Sequence, residues 1–98
     1  MRFVWNEKKS LRNRAKHKVS FETAQLVFAD PFALSILDRV VDGEERWQTL
    51  GSIAGAVVVL VAHTLEEKVG EEVIRIISAR KATPREREIY ESQGQKTD

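Results

Sequence analysis

The sequence predicts an α+β domain in which two helices precede a run of antiparallel strands and a third helix follows it. Two N-cap residues, Asn6 and Ser20, each precede a stretch of helix-forming residues. Strand-like segments, separated by turn residues such as Asp42-Gly43, then extend from residue 32 to residue 80. With a short apolar run at residues 2–5, the predicted order is β-α-α-β-β-β-β-α, with the helices packed on an antiparallel sheet.

The composition is that of one small globular domain. The chain has 98 residues, of which 42% are hydrophobic, and we expect residues 1–93 to form one domain followed by a disordered tail over residues 94–98. It contains no cysteine, which excludes a disulfide framework and a thiolate metal site and fits a cytoplasmic location. No apolar run approaches the roughly 18 residues that span a membrane, so we expect no membrane contact.

The first third of the chain predicts an edge strand and two helices. Residues 2–5 form the strand, and a helix follows over Glu7–His17. This helix carries only a narrow apolar stripe, so we expect it to dock lightly and to show a wide basic face. Ser20 caps the second helix, which ends at Asp30-Pro31 because the residue before proline avoids helical angles.

The rest of the chain predicts four strands and a helix. The strands are Phe32–Val40, Glu45–Ile53, residues 56–64 and Glu72–Arg80, with a polar hairpin loop at residues 65–71. The third strand is apolar on both faces, which is typical of a central strand. Thr83-Pro84-Arg85-Glu86 combines a cap, a proline at the first helical position and a capping glutamate, and it begins a helix that runs to about Ser92.

Charge is distributed unevenly, although the net charge is only +1. Residues 2–18 contain the single acid Glu7 and seven basic side chains, namely Arg2, Lys8, Lys9, Arg12, Arg14, Lys16 and Lys18. Such a basic segment predicts a local anionic partner. The alternative, which is the commoner case, is a helix whose basic face is simply solvated.

Polar side chains at strand ends are the candidates for chemistry. His63 ends the apolar strand, either as a core histidine with one hydrogen bond or as a proton carrier at the rim of the sheet. Arg75 and Arg80 lie five residues apart, so a regular strand places them on opposite faces. Each serves either in a structural ion pair or at a substrate phosphate. Glu45 and Arg46 are adjacent, so both side chains can point into one groove only if the backbone is irregular there.

Several chemistries lack their motifs. Two distant histidines without cysteine argue against a zinc site, and there is no phosphate loop, dinucleotide fingerprint or serine-hydrolase elbow. Metal-free phosphodiester cleavage and simple binding remain. In the first, one side chain takes the proton of the 2′-hydroxyl, another protonates the leaving oxygen, and arginines stabilise the phosphate. Lys16-His17 at the end of the first helix either complements the helix dipole or clamps a phosphate.

Several segments together carry a family resemblance. They are Phe3-x-Trp5-Asn6-Glu7-Lys8, Lys16-His17-x-Val19-Ser20-Phe21-Glu22-x-Ala24, Phe28-x-Asp30-Pro31, Glu45-Arg46, Gly51, His63-Thr64, Arg75-Ile76-Ile77-Ser78-Ala79-Arg80-Lys81-Ala82-Thr83, Glu86-Arg87 and Tyr90-Glu91. This pattern, over about residues 3–91, closely resembles the BrnT family of bacterial type II toxins. One position departs from the family, since Lys18 stands where glycine is usual; at a positive φ, lysine costs roughly 1 kcal/mol relative to glycine.

The resemblance implies a RelE-like ribonuclease fold and an RNA-cleaving activity that inhibits translation. It also implies a hetero-oligomer with a BrnA-like antitoxin, a ribbon-helix-helix protein through which the complex binds operator DNA. By analogy with RelE-like toxins, it implies that the active positions are His63, Arg75, Arg80, Glu45 and Arg46, with Lys16 and His17 contributing. Which of them acts as the general base stays open.

Two contact surfaces are expected in addition. We expect RNA phosphates to bind at Lys8, Arg12, Lys16, His17 and Lys81. Three short helices cover little more than one face of a sheet of about five strands, and exposed apolar surface usually marks an interaction site. We therefore expect the antitoxin to cover part of the sheet together with the last helix around Ile89 and Tyr90.

The sequence favours an RNA endonuclease toxin that uses no cofactor or metal. The alternative is a non-catalytic binding module that acts as a co-repressor subunit with a DNA-binding partner. A third interpretation is a purely structural domain. The histidines and arginines favour the nuclease, and a neighbouring gene for a ribbon-helix-helix protein would support the first two interpretations over the third.

Overall fold

Five strands form one sheet in the computed structural model, which describes residues 1–93. In chain order the elements are β1 (Arg2–Val4), α1 (Glu7–His17), α2 (Phe21–Ala24), a 3₁₀ helix (Gln25–Ala29), β2 (Leu34–Val41), β3 (Glu44–Ile53), β4 (Val57–Lys68), β5 (Glu71–Lys81) and α3 (Pro84–Gln93). The strand order is β1-β5-β4-β3-β2, which makes the apolar strand β4 central. The predicted tail over residues 94–98 lies outside the described residues. No helix within residues 1–93 is long and apolar enough to cross a membrane.

The predicted α+β fold is confirmed, with two corrections in the sheet. β1 is an edge strand, but it pairs with β5 in the parallel direction. A parallel pair is possible here because the two strands are not joined by a hairpin, which would force them to be antiparallel. The predicted loop over residues 65–71 is wrong, since β4 and β5 stay paired as far as Lys68 and Glu71. Only Val69-Gly70 forms the turn, and both residues have the positive φ that two-residue hairpins favour. Solvent exposure of this hairpin explains its polar sequence.

The two faces of the sheet differ. On one face the core residues of the sheet, Val59, Val61, Ile74 and Ile76, pack against Phe21 and Val27 from the helical segments, and each of these six is at most 2% exposed. We call this the helix face. The opposite face carries Arg46, Arg75 and Arg80, and we call it the arginine face. α3 begins beside this second face, where Arg80 binds its residue Glu86.

A buried asparagine docks α1 on the edge of the sheet. The Asn13 amide donates to the carbonyl oxygens of Val19 at 2.7 Å and Ala79 at 2.8 Å, and its oxygen accepts from the Ala79 N–H at 3.2 Å. Asn13 thus pairs with β5 much as a neighbouring strand does, beyond the residues that pair with β1. The basic face of α1 is thereby held beside residues 77–79.

Lys18 ends α1 in the left-handed conformation, with φ 66° and ψ 19°. We expect Lys18→Gly to raise the free energy of unfolding by about 1 kcal/mol, because glycine adopts this conformation without a clash of Cβ. Urea denaturation measures the change. Arg12→Gly, in the middle of the same helix, serves as the control and should lower stability. An unchanged urea midpoint for Lys18→Gly would contradict the expectation.

Candidate functional site

A β-bulge in β5 brings the arginines of this strand to one face. Arg75 lies opposite Thr64 and Arg80 lies opposite Leu60, because the pairing with β4 shifts and leaves one extra residue, Ile77, between them. Thr64 and Leu60 are four residues apart on a strand that pairs regularly with β3, so they share a face. The expectation that Arg75 and Arg80 lie on opposite faces is therefore wrong.

A carboxylate joins two arginines on this face. One oxygen of Glu44, Oε1, accepts from Arg75 Nη2 at 2.7 Å and from Arg46 Nε at 3.2 Å. The hydrogen bond from Arg75 is the main cause that holds the pKa of Glu44 below its usual range. The side chains are 29% exposed for Glu44 and Arg46 and 42% for Arg75. Within residues 1–93, their other guanidinium N–H groups make no side-chain hydrogen bond, so they are available to a ligand.

Arg80 is held in a different way. Its Nη1 and Nη2 donate to the two carboxylate oxygens of Glu86 at 2.8 and 3.0 Å. This hydrogen bonding is the main cause that lowers the pKa of Glu86 to about 2. Glu86 also accepts from the N–H of Thr83, and Thr83 Oγ1 accepts from the N–H of Glu86, as the predicted capping box requires. Arg80 therefore ties the start of α3 to the arginine face.

His63 lies on the helix face, away from the arginines, and is only 3% exposed. Its Nε2 is 2.7 Å from Thr49 Oγ1, its Nδ1 is 3.0 Å from the carbonyl oxygen of Thr64, and Phe28 packs against the ring edge to face. Burial lowers the pKa of His63, which favours the neutral imidazole. These contacts fit a core histidine. Residues 1–93 contain no group of three or more His, Cys, Asp or Glu side chains that could hold a metal ion.

Glu45 and Lys81 also lie away from the arginine face. β3 is regular at its start, so Glu45 points opposite to Arg46, and it accepts from Trp47 Nε1 at 3.3 Å. Lys81 lies opposite Val59, a residue of the helix face. The structure thus places Arg46, Arg75 and Arg80 on one face, brings Arg46 and Arg75 together, and adds Glu44, which the sequence analysis did not select. The two-residue spacing of Glu44 and Arg46 is the signal that could have found it.

A basic groove between α1 and β5 opens next to the arginine face. It has a volume of about 250 Å³ and is lined by Lys9, Arg12, Asn13, Lys16, His17, Ile77 and Ser78. Ser78, which lies between Arg75 and Arg80 along β5, is exposed. The groove brings together three of the predicted RNA contacts, Arg12, Lys16 and His17. Lys8 does not line the groove, whereas Lys9 does. Lys9 lies three residues before Arg12 and seven before Lys16, and these spacings place the three side chains on one face of the helix.

The two residues predicted for the antitoxin differ in accessibility. Tyr90 donates to Asp30, a carboxylate that also accepts from the backbone N–H groups of Ser52 and Phe32. Burial and the bond to Asp30 raise the pKa of Tyr90 to about 12. Ile89 is 42% exposed. An apolar groove of about 550 Å³ lies beside Tyr90, and its lining includes the exposed side chains Leu26 and Phe32.

Comparisons with known proteins place this fold in a family. A family model described as "Ribonuclease toxin, BrnT, of type II toxin-antitoxin system" matches residues 5–86. Among solved structures, the chain is similar to the Brucella abortus ribonuclease toxin BrnT, with 24% sequence identity and a TM-score of 0.58 over 85% of this chain and 97% of that chain. No curated protein matches significantly. The structural likeness supports the fold, and the family match confirms the resemblance in the sequence. The chain therefore belongs to the BrnT family of ribonuclease toxins of type II toxin–antitoxin systems.

Proposed function

We propose that this chain is an endoribonuclease that cleaves RNA on its arginine face without a metal ion and thereby inhibits translation. The family implies an RNA target and an antitoxin partner. The observation that carries the proposal is the pair Arg46 and Arg75, whose remaining guanidinium N–H groups stand on a solvent-facing part of the sheet beside a basic groove. Guanidinium forks of this kind bind phosphate with two parallel hydrogen bonds.

RNA supplies its own nucleophile for this reaction. The 2′-oxygen attacks the adjacent phosphorus and the bond to the 5′-oxygen breaks, which leaves a 2′,3′-cyclic phosphate and a 5′-hydroxyl. Arg46 and Arg75 stabilise the negative charge that grows on the phosphate oxygens. A proton acceptor for the 2′-hydroxyl and a donor for the leaving oxygen are also needed. Lys16 and His17 line the adjacent groove, whereas His63 is buried on the other face, which supports Lys16 and His17 as the proton carriers.

The basic groove binds the RNA strand through its phosphates. We expect replacement of Lys9, Arg12 and Lys16 by Gln to weaken RNA binding and to flatten its salt dependence by about one unit of slope per lost contact. Fluorescence anisotropy with a 2′-O-methyl RNA, which cannot be cleaved, measures both at several KCl concentrations. In the control variant, Arg2, Lys68 and Arg85, which lie at exposed positions, are replaced by Gln, so that the same charge is lost outside the groove. Equal slopes for the wild type and the groove variant would show that the groove does not contact RNA.

The partner we propose is a BrnA-like ribbon-helix-helix antitoxin that binds operator DNA and screens the arginine face. α3 has no buried residue among those described, its Ile89 is exposed, and the next residue, Tyr90, lines the apolar groove with Leu26 and Phe32. A largely apolar contact there fits a permanent complex.

Ile89→Asp tests this surface. At a 42% exposed position the change should leave the toxin folded, but it places a charge in an apolar contact, so we expect the antitoxin to lose neutralisation. Co-expression of toxin and antitoxin with a growth readout measures this. Leu37→Asp, at a 45% exposed position on β2 that faces away from the arginine face, is the matched control and should still be neutralised. Normal neutralisation of folded Ile89→Asp would place the interface elsewhere.

One observation favours the alternative function, a non-catalytic co-repressor subunit. Arg46, Arg75 and Arg80 each already bind a carboxylate, either Glu44 or Glu86. On that interpretation these pairs are structural and the purified chain leaves RNA intact. Cleavage of RNA by the wild-type chain, lost in Arg75→Ala, distinguishes the two functions.

A further inference from the structure

We propose that Glu44 is a positioning residue that sets Arg46 and Arg75 as a paired clamp for the phosphate under attack. The role rests on the proposed nuclease function and assigns a residue of the same site that neither the sequence pattern nor the family resemblance selected.

A single carboxylate oxygen holds both arginines. Glu44 Oε1 accepts from Arg75 and from Arg46, which belong to β5 and β3, the two strands on either side of β4. Arginine side chains have many rotamers in solution, and each hydrogen bond to a fixed acceptor restricts them. Thr64 lies between the two arginines in the strand register and is only 1% exposed although it belongs to the solvent-facing side. Arg46 and Arg75 are thus the direct cross-strand neighbours of a buried residue on this face.

The pattern of occupied donors separates Glu44 from Glu86. Glu44 takes one N–H from each arginine, which leaves Nε and Nη1 of Arg75 and both terminal nitrogens of Arg46 for a ligand. Glu86 instead takes both terminal nitrogens of Arg80. Glu44 therefore orients two guanidinium groups without using up the donors that bind phosphate.

Glu44 is suited to positioning and not to proton transfer. The hydrogen bond from Arg75 and the charges of both arginines hold the pKa of this carboxylate below its usual range. A carboxylate whose pKa is depressed is a weak proton acceptor at neutral pH. Its effect on the reaction then passes through the arginines, and this gives a clear test.

The test compares RNA cleavage and RNA binding in purified Glu44→Ala, Glu44→Gln and wild-type protein. The cleavage rate of total cellular RNA, at saturating protein, should fall about 10- to 100-fold in Glu44→Ala because the clamp loses its geometry. Affinity for a 2′-O-methyl RNA should stay equal or rise, because a negative charge beside the phosphate is removed. Glu44→Gln keeps an acceptor oxygen, so its cleavage rate should lie between those of Glu44→Ala and the wild type. If Glu44→Ala does not fold, the cleavage rate of Glu44→Gln provides the test.

Two controls make the result specific. Glu67→Gln removes the same charge at an exposed position near the β4–β5 hairpin, and it should cleave at the wild-type rate. In an Arg75→Ala background, Glu44→Ala should cause a smaller further loss of cleavage rate than it does in the wild type, because only Arg46 is then left for Glu44 to position. A wild-type cleavage rate in folded Glu44→Ala, or a full additional loss in the Arg75→Ala background, would overturn the role of Glu44 alone. Failure of the wild-type chain to cleave RNA would overturn the proposed function, and the role with it.

Discussion

Arg75→Ala is expected to abolish growth inhibition while the chain stays folded. Arg75 donates to Glu44 at 2.7 Å and keeps free N–H groups on the arginine face, where the proposed reaction places the growing charge of the phosphate. Removal of one such electrostatic group costs roughly 10²–10³ in rate at comparable sites. The Arg75 side chain is 42% exposed, and ion pairs at such positions contribute little to folding stability. The growth of induced cultures measures toxicity, and circular dichroism of the purified variant checks the fold.

The matched control for this variant is Arg2→Ala. Arg2 also pairs with a glutamate, Glu71, at 2.9 Å, but it lies on β1 at an exposed position. Loss of that ion pair should leave toxicity intact. If Arg75→Ala, expressed at the wild-type level, still stopped growth, the arginine would be structural and the clamp would be excluded.

Phe21→Ala is expected to cause the largest loss of stability. Phe21 is fully buried on the helix face, and its N–H donates to Ser10 of α1 at 2.9 Å. Truncation of a buried phenylalanine costs about 3–5 kcal/mol, which is a large share of the roughly 5–15 kcal/mol that stabilises a small domain. Urea denaturation should therefore show a much lower midpoint. Phe32→Ala, at a residue that is 58% exposed, is the control and should change stability little. A loss below about 1 kcal/mol in Phe21→Ala would contradict the described core.

Much of the fold was predictable because its signals are local. Asn6, Ser20 and Thr83 accept the backbone hydrogen bonds expected of N-caps. The apolar run of β4 predicted a central strand, which the strand order confirms. The polar sequence of residues 65–71 misled the prediction, because a hairpin that projects into solvent has polar strands as well as a polar turn.

The arrangement of the site was less predictable because it depends on long-range pairing. The bulge at Ile77 arises from the register between β4 and β5, and the spacing of Arg75 and Arg80 in the sequence does not predict it. His63 is a core residue if the helices cover its face of the sheet, and a rim residue if they cover the other face. Because β4 is apolar on both faces, its sequence does not show which face the helices cover. Glu44 shares a face with Arg46 by simple alternation, but its contact with Arg75 requires the strand order.

The most direct test of the central claim, that the chain cleaves RNA through its arginine face, is to map the ends of RNA after incubation with purified protein. The reactions contain EDTA, and they are run on RNA alone and in a translating extract. We predict new 5′-hydroxyl and 2′,3′-cyclic phosphate ends with the wild-type chain and none with Arg75→Ala. Intact RNA with folded wild-type protein in both settings, or equal cleavage by Arg75→Ala, would contradict the claim.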